Sequence, residues 1–492
     1  MKQARLNKDF LLLLNDVYAF ARTEGVELYL VGGVIRDAFL GRAKEPPDFD
    51  FCLRRQALTF GRKLARKIGC GFVVLDREHG ACRLVLKRGE GYCTLDFTDF
   101  KGATLTEDLL RRDFTVNSLA SELGAVLANK GEFSASALID PHGGLHDLKK
   151  ARVRVTHKNA FDDDPLRIMR ALSLAATFGF TIEQRTLQLM KAKRQKLLSV
   201  SGERIRDELF KILEHDNSHA YIVLMDKLGI IDVVFPEFTP MRGVYQGPYH
   251  HLDVWRHTLE TLRQLEKLYA TIIKNRRIRE YLEAKICAER RRKTLMKLGA
   301  LFHDVGKPAA RRRKGGKTIF HGHERLGARI SDEIAIRLKL SNDEADSLKK
   351  MVFWHLRPGY LADSEKPSSR AVFRYFRDAS QEGLSTLILS VADQRATRGK
   401  LTSRASRLQH ERVVKNLIRR YLREEKKTKL RRLITGDDLI AMGLTPSPLF
   451  GKILSEVEEL QAIGKLKEKE QGLAFVRTYI KVHGRAVPGE GS

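Results

Sequence analysis

The stretch that most limits what this chain can fold into is Leu30–Phe51, LVGGVIRDAFLGRAKEPPDFDF. It reads as a buried strand, a paired-glycine turn, a short helix, a loop and a second strand bearing two carboxylates. Gly32 and Gly33 lack side chains, so backbone N–H groups there can approach a phosphate chain closely. Asp48 and Asp50 stand at i and i+2, which puts both side chains on one face of a strand. Two carboxylates beside a phosphate-sized gap suit a pair of Mg²⁺ ions, one activating a hydroxyl and one holding a leaving phosphate. Each part alone is ordinary: a Gly-Gly is usually a turn, and an Asp-x-Asp a solvated strand end. Their order is what carries information.

The charge balance points the same way. The 492 residues hold 90 Lys+Arg against 61 Asp+Glu, a net charge of +29, and such an excess favours a polyanionic partner, nucleic acid before anionic membrane. Leu11–Leu14 is apolar but Asn15 and Asp16 follow at once, so neither a secretion signal nor a membrane span is expected. Five cysteines, Cys52, Cys70, Cys82, Cys93 and Cys287, show no C-x-x-C pair. That argues against a disulfide framework or cysteine zinc site and suits a reducing compartment, the cytoplasm by default.

Down the chain, residues 7–23 read as an amphipathic helix under a Glu27–Val31 strand, and Ala57–Ile68 as another helix. Strands are expected at Gly71–Leu75, Ala81–Lys87 and Tyr92–Phe97, with Asp96 in the last of them, placed to join the first two carboxylates. EDLLRRDFTVNSLA (Glu107–Ala120) has helical period from about Phe114. Arg111 and Arg112 offer guanidinium forks for phosphates. Asp113 and Asn117, four apart, would share a helical face and could hold a ribose hydroxyl.

GG-x-x-RD, then about ten residues, then D-x-D, then RRDFT-x-N-S closely resembles the nucleotidyltransferases of the DNA-polymerase-β superfamily, above all the tRNA nucleotidyltransferases (CCA-adding enzymes) and bacterial poly(A) polymerases. The resemblance implies that Asp48, Asp50 and Asp96 are catalytic, with Asp48 and Asp50 holding the metals. It also implies that Gly32, Gly33, Arg36, Asp37, Arg111 and Arg112 meet the triphosphate, and that Asp113 and Asn117 meet the ribose.

FDDDPLRIMRALSLAATFGF (Phe161–Phe180) suggests a helix with Asp164 as N-cap, Pro165 at its first position and Gly179 at its end. Arg167 and Arg170 follow at spacings of three, on the side of the cap. This segment resembles the amino-acid template of CCA-adding enzymes, E-D-x-x-R, with Asp163 where Glu is usual. On that reading Asp164, Arg167 and Arg170 recognise the edge of a base. Thr181-x-x-Gln184 is expected to form a capping box for the following helix. SGERIRDELFKIL (Ser201–Leu213) resembles the family's neck.

A second set of ligands begins near residue 250. His257, the adjacent His303-Asp304, His323, His355 and Asp393 lie in helical segments and resemble the HD phosphohydrolase superfamily, whose adjacent His-Asp straddles one or two divalent metals. Imidazole with carboxylate suits Mn, Ni, Fe or Zn better than Mg alone. His250 and His251 read as ordinary residues. RRRKGGKT (Arg311–Thr318) is not a P-loop, because Arg311 stands where that motif needs Gly. With Lys274–Arg279, Arg290–Lys293 and Arg419–Arg432 it could instead form a phosphate-backbone track.

The expected architecture is therefore α+β: a small mixed-sheet nucleotidyltransferase head (1–150), then mostly helical parts. Those are a neck (151–235), an HD domain (236–410) and a basic tail (411–492). The resemblance implies tRNA, CTP and ATP as partners, Mg²⁺ in the head and another divalent ion in the HD domain. Only Lys101–Thr104 separates DFTDF from LTEDLLRRDF, and this shortness resembles enzymes that add only CC or only the terminal A. Full CCA addition and poly(A) synthesis stay open. The latter is disfavoured because LRRQALTFGRKLARKIG lacks the expected glycine–arginine-rich strand. Two other readings fit the residues less well. An HD hydrolase with the head as a nucleotide sensor would not need both metal carboxylates, and a non-catalytic RNA-binding protein would need neither ligand set.

Overall fold

In the computed structural model, which describes residues 6, 8–42, 48–88, 91–424 and 432–483, the chain divides into two compact units, Met1–Val234 and Phe235–Ser492. The first unit is built on a six-stranded sheet in the order β3-β4-β5-β2-β1-β6. Its strands are β1 (Tyr29–Val31), β2 (Asp48–Leu53), β3 (Gly71–Asp76), β4 (Ala81–Arg88), β5 (Gly91–Asp99) and β6 (Ala120–Glu122). All neighbours are antiparallel except β2 and β5, which run parallel.

Alternation in β2 sets which side of that sheet is wet. Phe49 and Phe51 are fully buried, and Phe51 stacks on Phe97 of β5 with ring centroids 4.9 Å apart. The Lys8–Thr23 and Ala57–Ile68 helices add Leu13, Leu14, Val17, Phe60 and Leu64 to this core. Burying each phenylalanine contributes about 1.5–3 kcal/mol. A one-residue slip would drive these rings into water and the carboxylates into the core, so the register is firmly held. Asp48, Asp50 and Asp96 consequently emerge together on the open face.

Two helical expectations fail in this unit. The segment from Phe114 makes only one 3₁₀ turn, Thr115–Asn117, before the chain enters β6; pairing of β6 with β1 overrides the helical period. Thr181 does not cap the next helix. It pairs with Arg152 in a short parallel bridge, and Gln184–Lys193 starts after Glu183 instead. The neck helices Arg167–Phe178 and Gly202–Glu214 then pack on each other, with Ser173 of the first bonded to buried Glu208 of the second. Arg167–Phe178 ends at Gly179 as expected.

The second unit is helical. Phe235, Phe238, Phe302 and Trp255 cluster in its core, with Phe238 stacked on Trp255 at 4.8 Å. The expected division at 410/411 falls within one continuous helix, Arg404–Glu424. The helices Gly436–Ala441, Pro448–Ala462 and Lys469–His483 share a small core of their own around Ile434, Leu439, Ile453, Val457 and Val476. Among the described residues no helix is long and apolar enough to cross a membrane. Among the described residues no disulfide forms.

Two of the four basic runs turn out differently from a common track. Arg290–Lys293 is consumed internally: Arg290 and Arg292 pair with buried Glu344 and Glu382, and Arg291 and Lys293 with Glu283. Arg311–Lys317 is instead an exposed hairpin, Arg312–Lys314 paired with Lys317–Ile319. Gly315 and Gly316, at φ 57° and 74°, form the turn that two-residue hairpins require. In the Arg419–Arg432 run, residues 425–431 lie outside the described residues.

Candidate functional site

In the first unit one cavity of about 1020 Å³ is lined by Gly32, Gly33, Asp48, Asp50, Asp96 and Arg112 on one side. Asp164, Arg167 and Arg170 line it on the other. In the parallel β2–β5 pair Asp50 lies directly opposite Asp96. The Asp48 carboxylate accepts a 2.7 Å bond from Thr94 Oγ1, and Asp96 is gripped by Arg83 Nε and Nη2, both at 2.8 Å. Burial, with Asp96 and Asp48 nearby and only Arg112 and Arg170 to offset them, pushes the Asp50 carboxyl up to about 6. A cluster of oxygens that resists ionisation is one that a divalent cation would relieve, so the donor set fits a hard metal ion.

Gly32 ties the other groups to these carboxylates. It precedes the Gly33–Leu40 helix at φ 71°, ψ −122°, a conformation open essentially to glycine. A Cβ there would lie 3.5 Å from Arg112 Nη1 and 3.9 Å from Asp50 Oδ2. We therefore expect Gly32→Ala to destabilise the unit by about 1–3 kcal/mol in urea unfolding. It should weaken nucleotide binding as well, whereas Gly41→Asn, at the far end of the same helix, should leave binding unchanged.

Asp113 and Asn117 do meet, although not along an α-helix. The tight turn brings Asn117 Nδ2 within 3.2 Å of Asp113 Oδ1, and Arg36 Nη1 donates to Asn117 Oδ1 at 2.6 Å. Asp113 is buried, yet Arg170 at 3.1 Å, the Phe114 N–H and Asn117 hold its carboxyl below the ordinary range. Asp37 faces Arg36 at 2.8 Å and anchors that guanidinium, which lies 4.3 Å over the Phe178 ring.

Three of the candidate residues make contacts that the sequence did not predict. Arg111 is turned out of the cavity, its guanidinium donating to the Lys101 carbonyl. Arg167 is buried and its two terminal nitrogens serve the carbonyls of Ala160 and Arg111. It pins the arginine-bearing loop to the neck. Asp164 caps a turn, accepting from Leu166 N–H while Arg204 holds its other oxygen at 2.9 Å; the helix itself starts at Arg167. Sequence reading missed Arg83 and Glu208. Glu208 lines the cavity, accepts from Ser173 and pairs with Lys211 at 2.8 Å. Only its place on the inner face of an amphipathic helix hinted at this.

The second unit collects its own constellation from helices far apart in sequence. His257 lies in Val254–Ile272, His303 at the end of Arg292–Phe302, His323 at the start of His323–Arg337, His355 at the end of Asn342–Trp354 and Asp393 in Gly383–Ala396. Asp304 is the hub. Its Oδ2 lies 3.1 Å from His303 Nε2 and 3.8 Å from His257 Nε2, and its Oδ1 lies 3.4 Å and 3.6 Å from His323 and His355. Asp393 accepts from His257 at 2.8 Å.

In His303, His323 and His355 the Nδ1 atom bonds the backbone carbonyl three residues earlier, at 2.8, 2.8 and 2.6 Å. This fixes the tautomer and turns each Nε2 lone pair inward, the arrangement that metal-binding imidazoles use. His303 Nε2 and Asp304 Oδ1 are buried with no hydrogen-bond partner. Although burial works against ionisation, His303 and Lys307 hold the Asp304 carboxyl well below its usual range. Two groups, His257–His303–Asp304 and Asp304–His323–His355, could each hold a metal ion. Lys307, which bonds Asp304 and Gln246 at 2.6 Å each, was not anticipated. Nor was His250, whose ring stands 4.8 Å from His257.

Comparison with known proteins follows the same division. Family models for the poly(A) polymerase head domain, its probable RNA- and SrmB-binding site and the HD domain match residues 28–154, 179–242 and 254–398. An A-adding tRNA nucleotidyltransferase of Deinococcus radiodurans is 31% identical over 92% of this chain and 95% of its own. The chain belongs to the tRNA nucleotidyltransferase and poly(A) polymerase family. A CC-adding tRNA nucleotidyltransferase of Thermus thermophilus is also 31% identical, over 92% of this chain and 93% of its own. A solved structure of the Thermotoga maritima CCA-adding enzyme complexed with tRNA shares the fold, with TM-score 0.63 at 23% identity over 97% of each chain. In this chain the histidine–aspartate constellation falls within the HD match and outside the head match.

Proposed function

We propose that the chain adds CMP or AMP, from CTP or ATP, to the 3′ hydroxyl of tRNA without a nucleic-acid template, releasing pyrophosphate. The observation that carries this is the register of Asp50 against Asp96 on adjacent parallel strands, opening into a cavity that also holds Arg112 and the Asp113–Asn117 pair. Asp48 and Asp50 would hold Mg²⁺, which supplies Lewis-acid activation of the hydroxyl and neutralises the leaving phosphate. Asp96, oriented by Arg83, accepts the proton of the attacking 3′ hydroxyl. Arg112 and the N–H groups that open the Gly33–Leu40 helix hold the triphosphate. Asn117, oriented by Arg36, and Asp113 take the ribose. Asp164, braced by Arg204, faces the base, and Arg167 and Arg170 position the walls around it. The tRNA substrate and five cysteines outside any disulfide suit the cytoplasm.

Residues 100–104 alone connect β5 to the Leu105–Leu110 helix, and this short connection supports partial addition over full CCA synthesis. The test is incorporation on tRNA transcripts ending before CCA, after C and after CC, with CTP, ATP or both. Addition stopping at CC, or one A added only to the CC-ended transcript, is the expected outcome. Growth of all three to CCA would sink the partial reading, and no extension at all would sink the activity itself.

For the second unit we propose a metal-dependent phosphohydrolase. Its support is the inward lone pairs of three locked imidazoles around Asp304. A transition metal would supply an activated water there, with the Lys307 ammonium beside Asp304 to favour an anionic phosphate.

A further inference from the structure

A separate cavity of about 360 Å³ lies in the second unit between three helices: Val254–Ile272, Gly383–Ala396 and Arg404–Glu424. Four of its lining residues are arginines, Arg395, Arg398, Arg404 and Arg407; Gln264 lines it too, and Glu411 is its single acid. Glu411 is already engaged, forked by Arg395 at 2.8 and 3.0 Å and approached by Lys415 at 3.4 Å. Arg398 gives its Nε to the Arg395 carbonyl at 3.3 Å. Arg407 Nε is buried with no hydrogen-bond partner. Like charges gathered around one concavity repel one another, and an unpaired buried guanidinium nitrogen costs desolvation energy without return. Neither the nucleotide cavity nor the HD constellation uses any of these four arginines.

We propose that this arginine pocket is a phosphate-binding site, in which Arg404, Arg407 and Arg398 converge on the oxygens of one phosphate group. Guanidinium forks are the donors best matched to phosphate, and the anion would supply the partner that Arg407 Nε lacks. The arginine already neutralised by Glu411 forms the wall rather than the grip, and the Gln264 amide adds polarity that a basic surface patch would not need. Two sources present this chemistry: a free phosphorylated small molecule, or a phosphodiester of an RNA backbone. The site stands whether or not the head transfers nucleotides.

The experiment compares the full chain with Arg404→Gln/Arg407→Gln, and uses Arg412→Gln, an exposed change on the same helix that pairs with Glu365, as the charge control. Pyrophosphate and inorganic phosphate binding are measured by calorimetry at constant ionic strength without added divalent metal. tRNA binding is measured as a function of salt. For a free small-molecule ligand, the double variant loses one anion site, or binds it roughly tenfold or more weakly, while tRNA binding matches Arg412→Gln. For an RNA backbone, the slope of log affinity against log salt becomes shallower by about 1–2 in the double variant, beyond the effect of Arg412→Gln. Unaltered anion stoichiometry together with a tRNA slope equal to that of Arg412→Gln would overturn the proposal. Should the double variant fail to fold, exposed Arg404→Gln alone carries the same comparison.

Discussion

Asp50→Asn is expected to abolish nucleotide addition, by about 10³-fold or more, while making the metal-free protein more stable. The rate loss follows because a carboxylate that helps hold a catalytic metal contributes several kcal/mol to the transition state. The stability gain follows from proton linkage. In the folded chain the Asp50 carboxyl is pushed up to about 6 from an ordinary 3.8, first by burial and then by Asp96 and Asp48. A raised pKa means that the folded state holds the proton more tightly than the unfolded state. This contribution to stability is therefore fully present below about pH 4 and is lost as pH rises through 6. It amounts to at most about 3 kcal/mol. Asparagine carries no charge and escapes that loss. In chelator at pH 8, Asp50→Asn should unfold at higher urea than the parent chain, and the gap should close toward pH 4. Equal stability of the two proteins at pH 8 would falsify the electrostatic account of this site. The same proton competes with the metal, so Mn²⁺ binding to the head should weaken as pH falls below 6.

Asp304→Asn is expected to empty the HD constellation and leave nucleotide addition untouched. Both oxygens of Asp304 are in use, Oδ2 toward His303 and His257 and Oδ1 toward His323 and His355, so one substitution undoes both ligand groups. Metal content by elemental analysis should fall to background, with any phosphoesterase activity lost alongside. The change also strands Lys307, which is bound to Asp304 at 2.6 Å in a buried setting. Removing one partner of such a pair costs about 3–5 kcal/mol, read as a lower unfolding midpoint. His355→Gln is the milder companion, because it removes one ligand and strands no charge. Retention of full metal content in both variants would show that the constellation is not a metal site. Loss of tRNA extension in His355→Gln would show that the two sites are not independent.

Much of the head was legible because its signals are local. Strand alternation through DFDF placed Asp48 and Asp50 on one face before any fold was known, and the phenylalanines alternating with them supplied the hydrophobic reason. Ala57–Ile68 came out with the expected bounds. What failed were readings in which a local period competed with a distant partner. The run after Phe114 has helical spacing, yet the chain gains more by pairing Ala120–Glu122 with β1. Thr181 fits a capping box but pairs with Arg152.

Site residues divide along the same line. The amino-acid order alone determined that this chain carries a paired-glycine turn, an Asp-x-Asp strand, an arginine-aspartate-asparagine cluster and six metal-type ligands far down the chain. Only tertiary structure decided which of these face a cavity. It turned Arg111 outward, buried Arg167 against backbone carbonyls, and joined Arg83 to Asp96 and Glu208 to Ser173. It also absorbed Arg290 and Arg292 into buried ion pairs while gathering Arg395, Arg398, Arg404 and Arg407 around one hollow. The physical reason is that a guanidinium has five donors on a long, flexible stem. Its direction is set by whichever acceptors the fold brings within reach, and spacing along the chain does not encode them.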